Sequence, residues 1–414
     1  MSDIELFNST SEKIPSVRRD IEIINVQQNG SSFIYFHDVR GYSTPNLALH
    51  PQVETLLSLV DGRKSINDLE PYLGEGVSKE QVLEFVQFLD KNRLLASDFF
   101  REYARKTEEE YEQSTVHQSV TAGSSYPADP LELKKYLDES FAQYESKVSV
   151  DSVKALYAPH IDPRVGLQSY VKAFSPIRHL KPKRVVVLAT SHYAGLHPKT
   201  YQNSPFILVN KDFEMPLGTI KRDQMVINEL LQAGEQAGIS SHDRAHRMEH
   251  SIELHLLFLS YLWQHEFEII PFLVRGLDDL YYLKNGALGK QMKHFSQLLN
   301  SQFGNDDETF FLISGDLAHF GKKFGDADAA STLFDDVQSF DRKFLDRASK
   351  NQPVKLLSLM KEELDPYRIC GFPPLYSFLQ SMPDLKGKIL SYDLWDETER
   401  ESAVTYGSIA YSRE

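Results

Sequence analysis

One cysteine in 414 residues, Cys370, leaves no internal disulfide framework and fits a reducing compartment. Nowhere does the chain gather the ~20 consecutive apolar residues of a membrane span. Its polar start, MSDIELFNSTSEK, lacks the apolar segment of a secretory signal. Basic residues are in deficit: 45 Lys and Arg against 59 Asp and Glu leave a net charge of −14, the wrong sign for a general binder of phosphate backbones. These absences predict a soluble, cytoplasmic protein that binds neither nucleic acid nor membrane. Its length is enough for two or three domains and a large core.

What the chain does have is a theme of apolar runs that stop at histidine. RVVVLATSHYAG (184–195) carries the unbroken run 185–189, the pattern of a strand buried on both faces of a parallel sheet, and ends in Thr190, Ser191 and His192. ALYAPHID (155–162) ends in His160, and TFFLISGDLAHFG (309–321) ends in Asp316 and His319. In open α/β sheets ligands bind beyond the carboxyl ends of the strands, so three such ends aim imidazoles at one place. Helices are expected at 131–145, 165–175, 223–232, 248–263, 287–300, 332–348, 353–361 and 375–381. Strands are expected at 154–158, 184–189, 267–274 and 309–313, with KILSYDLW and AVTYGSIAYS closing the chain. This alternation predicts one α/β domain over 121–414, with a mostly parallel central sheet flanked by helices.

Residues 1–20 lack periodicity and read as a mobile or strand-swapped start. A small module follows within 1–100. It has a strand at 33–39, helices at 50–60, 65–73 and from 79 onward, and a short strand LLAS (94–97). Ser65 with Asp68, and Ser78 with Gln81, have capping-box spacing. The order resembles a winged helix, and LLSLVDGRKSINDL with VSKEQVLEFVQFLDKNRLL resembles the PqqD-like peptide-recognition domains. The third helix carries Glu80, Glu84 and Asp90 against Lys79 and Lys91, which suits protein or peptide contact better than a DNA groove. The charged stretch 101–120 reads as a linker or connecting helix.

The chemistry concentrates in a few residues. His160, His192 and Cys370 offer two neutral imidazoles and a thiolate, a donor set suited to Fe(II), Cu or Zn. A lone Cys is as readily a small buried hydrophobe. Asp316 and His319 can pair, the carboxylate orienting a ring that moves protons; equally, Asp316 can cap a turn. EHSIELH (249–255) is not the H-E-x-x-H metalloprotease pattern, because His250 and His255 are five apart and leave a helix on different faces. Glu249 and His250 can approach the site from a helix N-terminus. Asp162, Arg164, Tyr193 and Phe372 flank the set as candidate pocket walls.

In order, AGSSYP (122–127), APHIDPR (158–164), TSH (190–192), EHSIELH, SGDLAHFG (314–321), CGFPPLY (370–376) and the terminal SIAY resemble the motifs of the Memo family. The likeness is to its long prokaryotic members, called AmmeMemoRadiSam system protein B. The resemblance implies a fold similar to class III extradiol dioxygenases. It places the family's metal-site residues on His160, His192 and Cys370, and the acid/base His on His319 beside Asp316. It further implies Fe(II) or Cu as cofactor and a redox or dioxygenase-like role on a peptide or protein. A radical-SAM protein and an AMMECR-type protein are the implied partners, and a peptide is expected on the N-terminal module. Cys370 stands where the dioxygenases place a carboxylate. A thiolate changes the electronics of iron and oxidises readily, so ring cleavage is not carried over. A non-catalytic binding or scaffold protein with a vestigial pocket is the rival reading. Ile161-Asp162-Pro163-Arg164 also departs from the animal members, which have A-G-Y there.

Overall fold

The four apolar runs lie side by side. Strands Val153–Ala158, Thr309–Ser314, Arg184–Thr190 and Glu268–Val274 pair in that order, all parallel. All of 309–314 is buried, as is all but the first residue of 184–190, which is why these runs are continuous rather than alternating. A computed structural model describes residues 4–413 apart from 29, 75, 146–149 and 151. It divides into two compact units, Met1–Gln113 and Ser114–Glu414. Among the described residues no helix is long and apolar enough to cross a membrane.

The sheet of the larger unit is mixed, with a wholly parallel centre and mostly antiparallel margins. On one side of the parallel quartet, Ser402–Arg413 runs antiparallel to Val153–Ala158 and pairs along its length with Leu385–Glu397. The short strand His319–Gly321 lies against 402–404. On the other side come the hairpin Asp212–Met215/Gly218–Arg222 and the strand Val116–Gln118. Hairpin connections add antiparallel margins without the crossover that each further parallel strand demands.

Alternate residues of the quartet feed two cores. Tyr157, Val186, Leu188, Phe272 and Phe311 pack on one face against helices Ala287–Phe303, Phe334–Ser349 and Phe372–Ser381. Leu156, Val185, Val187, Leu273 and Phe310 pack on the other against Pro130–Tyr144, Pro163–Phe174 and Glu253–Leu262. Leu188 is fully buried, so Leu188→Ala costs about 2–5 kcal/mol.

The smaller unit holds a three-stranded antiparallel sheet, Ile21–Gln28, Ser31–Asp38 and Ala48–Leu49. Its helices are Glu54–Leu59, Ile66–Leu69, Lys79–Lys91 and Asp98–Gln113. Both capping boxes are present, Ser65 with Asp68 and Ser78 with Gln81. Three expectations need revision. Ile21–Gln28 is a strand that the sequence reading missed. LLAS is no strand: Leu95 makes a single bridge to Val17. The start, of which residues 1–3 lie outside the described residues, is anchored, with Ile14 buried and Lys13 bridged to Ser65. The stretch 101–120 is helical to Gln113, after which Val116–Gln118 joins the sheet of the larger unit.

Candidate metal centre

Each candidate donor stands where a buried strand stops or a buried helix begins. His160 follows the strand Val153–Ala158, and its backbone N–H and that of Ile161 donate to Oδ1 of Asp316 at 3.0 and 3.2 Å. His192 follows Arg184–Thr190. Glu249 takes its backbone N–H on Oε2 and its ring Nδ1 on Oε1, both at 2.8 Å. Cys370 ends the turn that leads into helix Phe372–Ser381, and Thr190 Oγ1 donates to its carbonyl at 2.7 Å. The donor atoms of His160, His192 and Cys370 lie within 4.8 Å of one another, and Nε2 of His160 is 3.3 Å from the Cys370 sulfur.

The hydrogen bonds behind the rings decide which nitrogen faces the centre. The Ser314 hydroxyl gives its proton to the Ser251 carbonyl at 2.6 Å, so its oxygen accepts from Nδ1 of His160 at 3.0 Å. His160 therefore presents the lone pair of Nε2. Glu249 holds the Nδ1 proton of His192 in the same way, leaving Nε2 toward the centre. Orienting bonds of this kind fix the tautomer of metal-binding imidazoles. Glu249 also accepts the N–H groups of His250 and Ser251. With four donors on its two oxygens it orients His192, and with His192 and His250 it also forms a second group whose donor atoms lie within 4.8 Å of one another.

The electrostatics follow from burial and close neighbours. Burial, with His192 and His250 nearby, holds the His160 pKa well below its ordinary value, so this ring is neutral. Burial opposes protonation of His192 too, but Glu249 and Cys370 outweigh it and raise its pKa. Burial opposes ionisation of Glu249, yet His192 and His250 bring its pKa down to about 2. Burial pushes the Cys370 thiol up, against bonds from His192 and the Asp316 N–H, the latter at 3.3 Å. A metal cation binding here displaces protons from His192 and Cys370, as metal binding to such groups generally does.

Asp316 and His319 are close but not paired as expected. Oδ1 of Asp316 takes the two amides at His160 and Ile161 and Oδ2 lies 3.8 Å from Nε2 of His160, while Nδ1 of His319 meets the Leu317 carbonyl at 3.1 Å. Leu317 and Ala318 between them are tied to Thr405 by three bonds of 2.9 Å, which sets the turn. Burial raises the Asp316 pKa to about 7. Burial and the neighbouring His192 lower that of His319 to about 4. His319 is thus a neutral base with Nε2 free to take a proton. Donor atoms of Asp316, His319 and Cys370 also fall within 4.8 Å of one another.

The remaining candidates are spread around this core. His250 stacks on His192, centroids 5.0 Å apart at 9°, and stands edge-on to His160; burial, then His192, brings its pKa down to about 4. Side chains of His192 and His250 are each 31 % exposed, which makes them the solvent-facing side of the cluster. The Tyr193 ring lies 6.4 Å from His192. Burial and Glu249 push its phenol up to about 12. Asp162 caps helix Pro163–Phe174, accepts from Ser125 Oγ and pairs with Arg164 at 2.6 Å. Phe372 is buried in the core against Tyr281 and Tyr376. The helix expected at 248–263 starts only at Glu253, because Glu249 takes the amides at 250 and 251 on its own side chain. Glu253 accepts from the backbone of Val120 and Thr121 and from the Tyr126 hydroxyl, tying AGSSYP to this helix. His255 stays in the core beside Tyr170 and Phe174.

Sequence reasoning missed Ser314, Ser251 and Thr190, all of which lie inside the quoted motifs. It also missed why two glycines stand there. A Cβ on Gly315 would meet Gly371 Cα at 2.1 Å, and one on Gly371 would meet Tyr157 Oη at 2.3 Å and Asp316 O at 2.7 Å. Only bare backbone lets the Cys370 turn approach the Asp316 turn this closely.

The fold and the donor set together define an α/β protein with a His–His–Cys cluster at the carboxyl ends of a parallel sheet core. Residues 117–410 match the family model described as Memo-like protein, and the chain belongs to the Memo family. It is similar to a MEMO1 family protein of Aquifex aeolicus (strain VF5), 28% identical over 399 residues that cover 94% of this chain and 99% of the relative. A MEMO1 family protein of Thermus thermophilus is 25% identical over 333 residues, covering 80% of this chain and 93% of the relative. Protein MEMO1 of Mus musculus is 24% identical over 305 residues, 69% of this chain and 94% of the relative. The likeness to the Aquifex protein extends over the N-terminal unit; that to the mouse protein covers less of the chain.

Proposed function

We propose that the protein is a metal-dependent redox protein that holds Fe(II) or Cu through His160, His192 and Cys370. The supporting observation is the convergence of two oriented Nε2 atoms and one sulfur within 4.8 Å. Nitrogen and thiolate donors of this kind suit iron or copper and leave positions for a small molecule. When bound, the metal supplies electron transfer and oxygen chemistry. Ser314 and Glu249 keep the two rings aimed, and Asp316 fixes the backbone at His160. His319, neutral and with Nε2 free, accepts a proton from a substrate or water at the centre. His192 and His250 form the solvent-facing entrance, with Tyr193 beside it.

The substrate in this reading is a peptide or protein side chain presented by the N-terminal unit. A radical-SAM protein and an AMMECR-type protein act beside it. These clauses rest on the resemblances of the motifs and of the N-terminal module, and a fold-level likeness alone does not fix an activity. The experiment is elemental analysis of protein purified without oxygen, for wild type, His160→Ala and Cys370→Ser. About one Fe or Cu per chain in the wild type, lost in both folded variants, is the expected result. A wild type that takes up neither metal on reconstitution overturns the reading in favour of a binding or scaffold protein.

A further inference from the structure

The turn that delivers Cys370 is strained and is bolted to the backbone of His319. Helix Pro353–Glu363 ends at Leu364 in the left-handed region, φ +55°, followed by Asp365 at +52° and Arg368 at +53°. Three L residues in that conformation within five positions do not occur without compensation. The compensation is on both sides of His319. Its backbone N–H donates to the Tyr367 carbonyl at 2.7 Å, and its carbonyl accepts from Nε of Arg368 at 2.9 Å. Nη2 of Arg368 reaches Oδ2 of Asp326 at 2.5 Å, an oxygen that also takes the Gly321 N–H at 2.7 Å. Asp365 in turn accepts the Ile369 N–H at 3.0 Å. Tyr367 and Arg368 thus clasp the backbone of the acid/base residue two positions before the thiol.

We infer that Arg368 is a positioning residue that sets the Cys370 sulfur relative to His319, an inference that rests on the metal-binding reading above. Its guanidinium bonds the backbone carbonyl of His319 and not the ring. It acts by tying the turn to the His319 carbonyl and the Asp326 carboxylate; once the fork is removed the turn is no longer held there, and the sulfur shifts with it. An Arg is suited to this because its planar fork bonds a carbonyl and a carboxylate at once, which a lysine ammonium does with poorer geometry.

The test uses cobalt(II) as the probe on full-length protein, because a thiolate ligand gives cobalt a charge-transfer band in the near ultraviolet. Wild type, Arg368→Met, Arg368→Lys and Arg368→Gly are titrated with cobalt and melted. Glycine relieves the left-handed strain, so Arg368→Gly keeps a cooperative melt while losing the fork. The expected result is a weakened thiolate band in the Met and Gly variants, with cobalt affinity lower by about tenfold or more, and partial recovery in Arg368→Lys. Should Arg368→Gly fail to fold, Asp326→Asn removes the anchor of the guanidinium without touching the turn and is expected to weaken the band likewise. Wild-type band and affinity in folded Met, Gly or Asn variants overturn the inference while leaving the metal reading intact. A wild type that binds cobalt with no thiolate band overturns the metal reading itself, and the role of Arg368 with it.

Discussion

One carboxylate, Glu249, holds both the ring and the backbone of His192, with Oε1 on Nδ1 and Oε2 on the main-chain N–H, each at 2.8 Å. Glu249→Gln keeps the size and an acceptor oxygen but removes the charge that fixes the tautomer. The variant is expected to stay folded and to bind metal about 10–100-fold more weakly. Competition against a chromophoric chelator measures this; an unchanged affinity contradicts the orienting role.

Ser314→Ala strips His160 of the acceptor for its Nδ1 proton and leaves the Ser251 carbonyl without its donor. Both groups are buried, so the expected loss is about 1–3 kcal/mol of stability, together with weaker metal binding. Denaturant melts of metal-free protein separate the first effect from the second.

Gly371→Ala forces a methyl group against Tyr157 Oη and Asp316 O. Overpacking of this kind costs about 1–3 kcal/mol and pushes the Cys370 turn away from Asp316. The melting temperature is expected to fall, and the rate at which a thiol reagent labels Cys370 to rise. A labelling rate equal to that of wild type speaks against the close approach.

Acid is expected to unfold the metal-free protein early. His117 and His255 are brought to about 3, and His250 and His319 to about 4, in each case with burial as the leading cause. These rings are neutral when folded and gain protons on unfolding once the pH drops below about 6.5. Stability therefore falls as pH falls from there toward their folded values. Glu249, at about 2 when folded, adds to the loss below its ordinary range. His192 has the opposite sign: its raised pKa stabilises fully below the ordinary value and fades as pH rises through the folded one. The urea midpoint is expected to be clearly lower at pH 5 than at pH 7.5, and equal midpoints would count against burial of the neutral rings.

Much of the parallel core was legible because strands buried on both faces leave unbroken apolar runs, and 185–189 and 309–313 are such runs. His160, His192 and Cys370 were legible as candidates from residue type and motif order, and the fold brings their donor atoms together. The mixed character of the sheet was not, because Leu385–Glu397 and Ser402–Arg413 announce strands without announcing direction. The bond expected between Asp316 and His319 is replaced by contacts the sequence does not announce: amides 156 and 155 residues away in the chain take Oδ1 of Asp316, and the His319 ring turns Nδ1 to the Leu317 carbonyl. Glu249 was legible as a residue beside the site, but not as the partner of His192, whose N–H and ring lie 57 residues upstream. The N-terminal segment is anchored by buried Ile14, by the Arg18–Asp38 ion pair and by scattered backbone bonds such as that of Ile14 N–H to the Lys64 carbonyl, none of which leaves a periodic pattern in the sequence.

The three donor residues are scattered along the chain, with Cys370 lying 210 residues after His160. No short stretch of the chain can assemble the cluster as it leaves the ribosome, so on the metal-binding reading an ion would bind only a chain in which the Cys370 turn has docked. An ion that binds the folded chain and not the unfolded one would raise apparent stability by mass action. In a cell short of metal, the shortage would then be felt first as faster turnover of the protein.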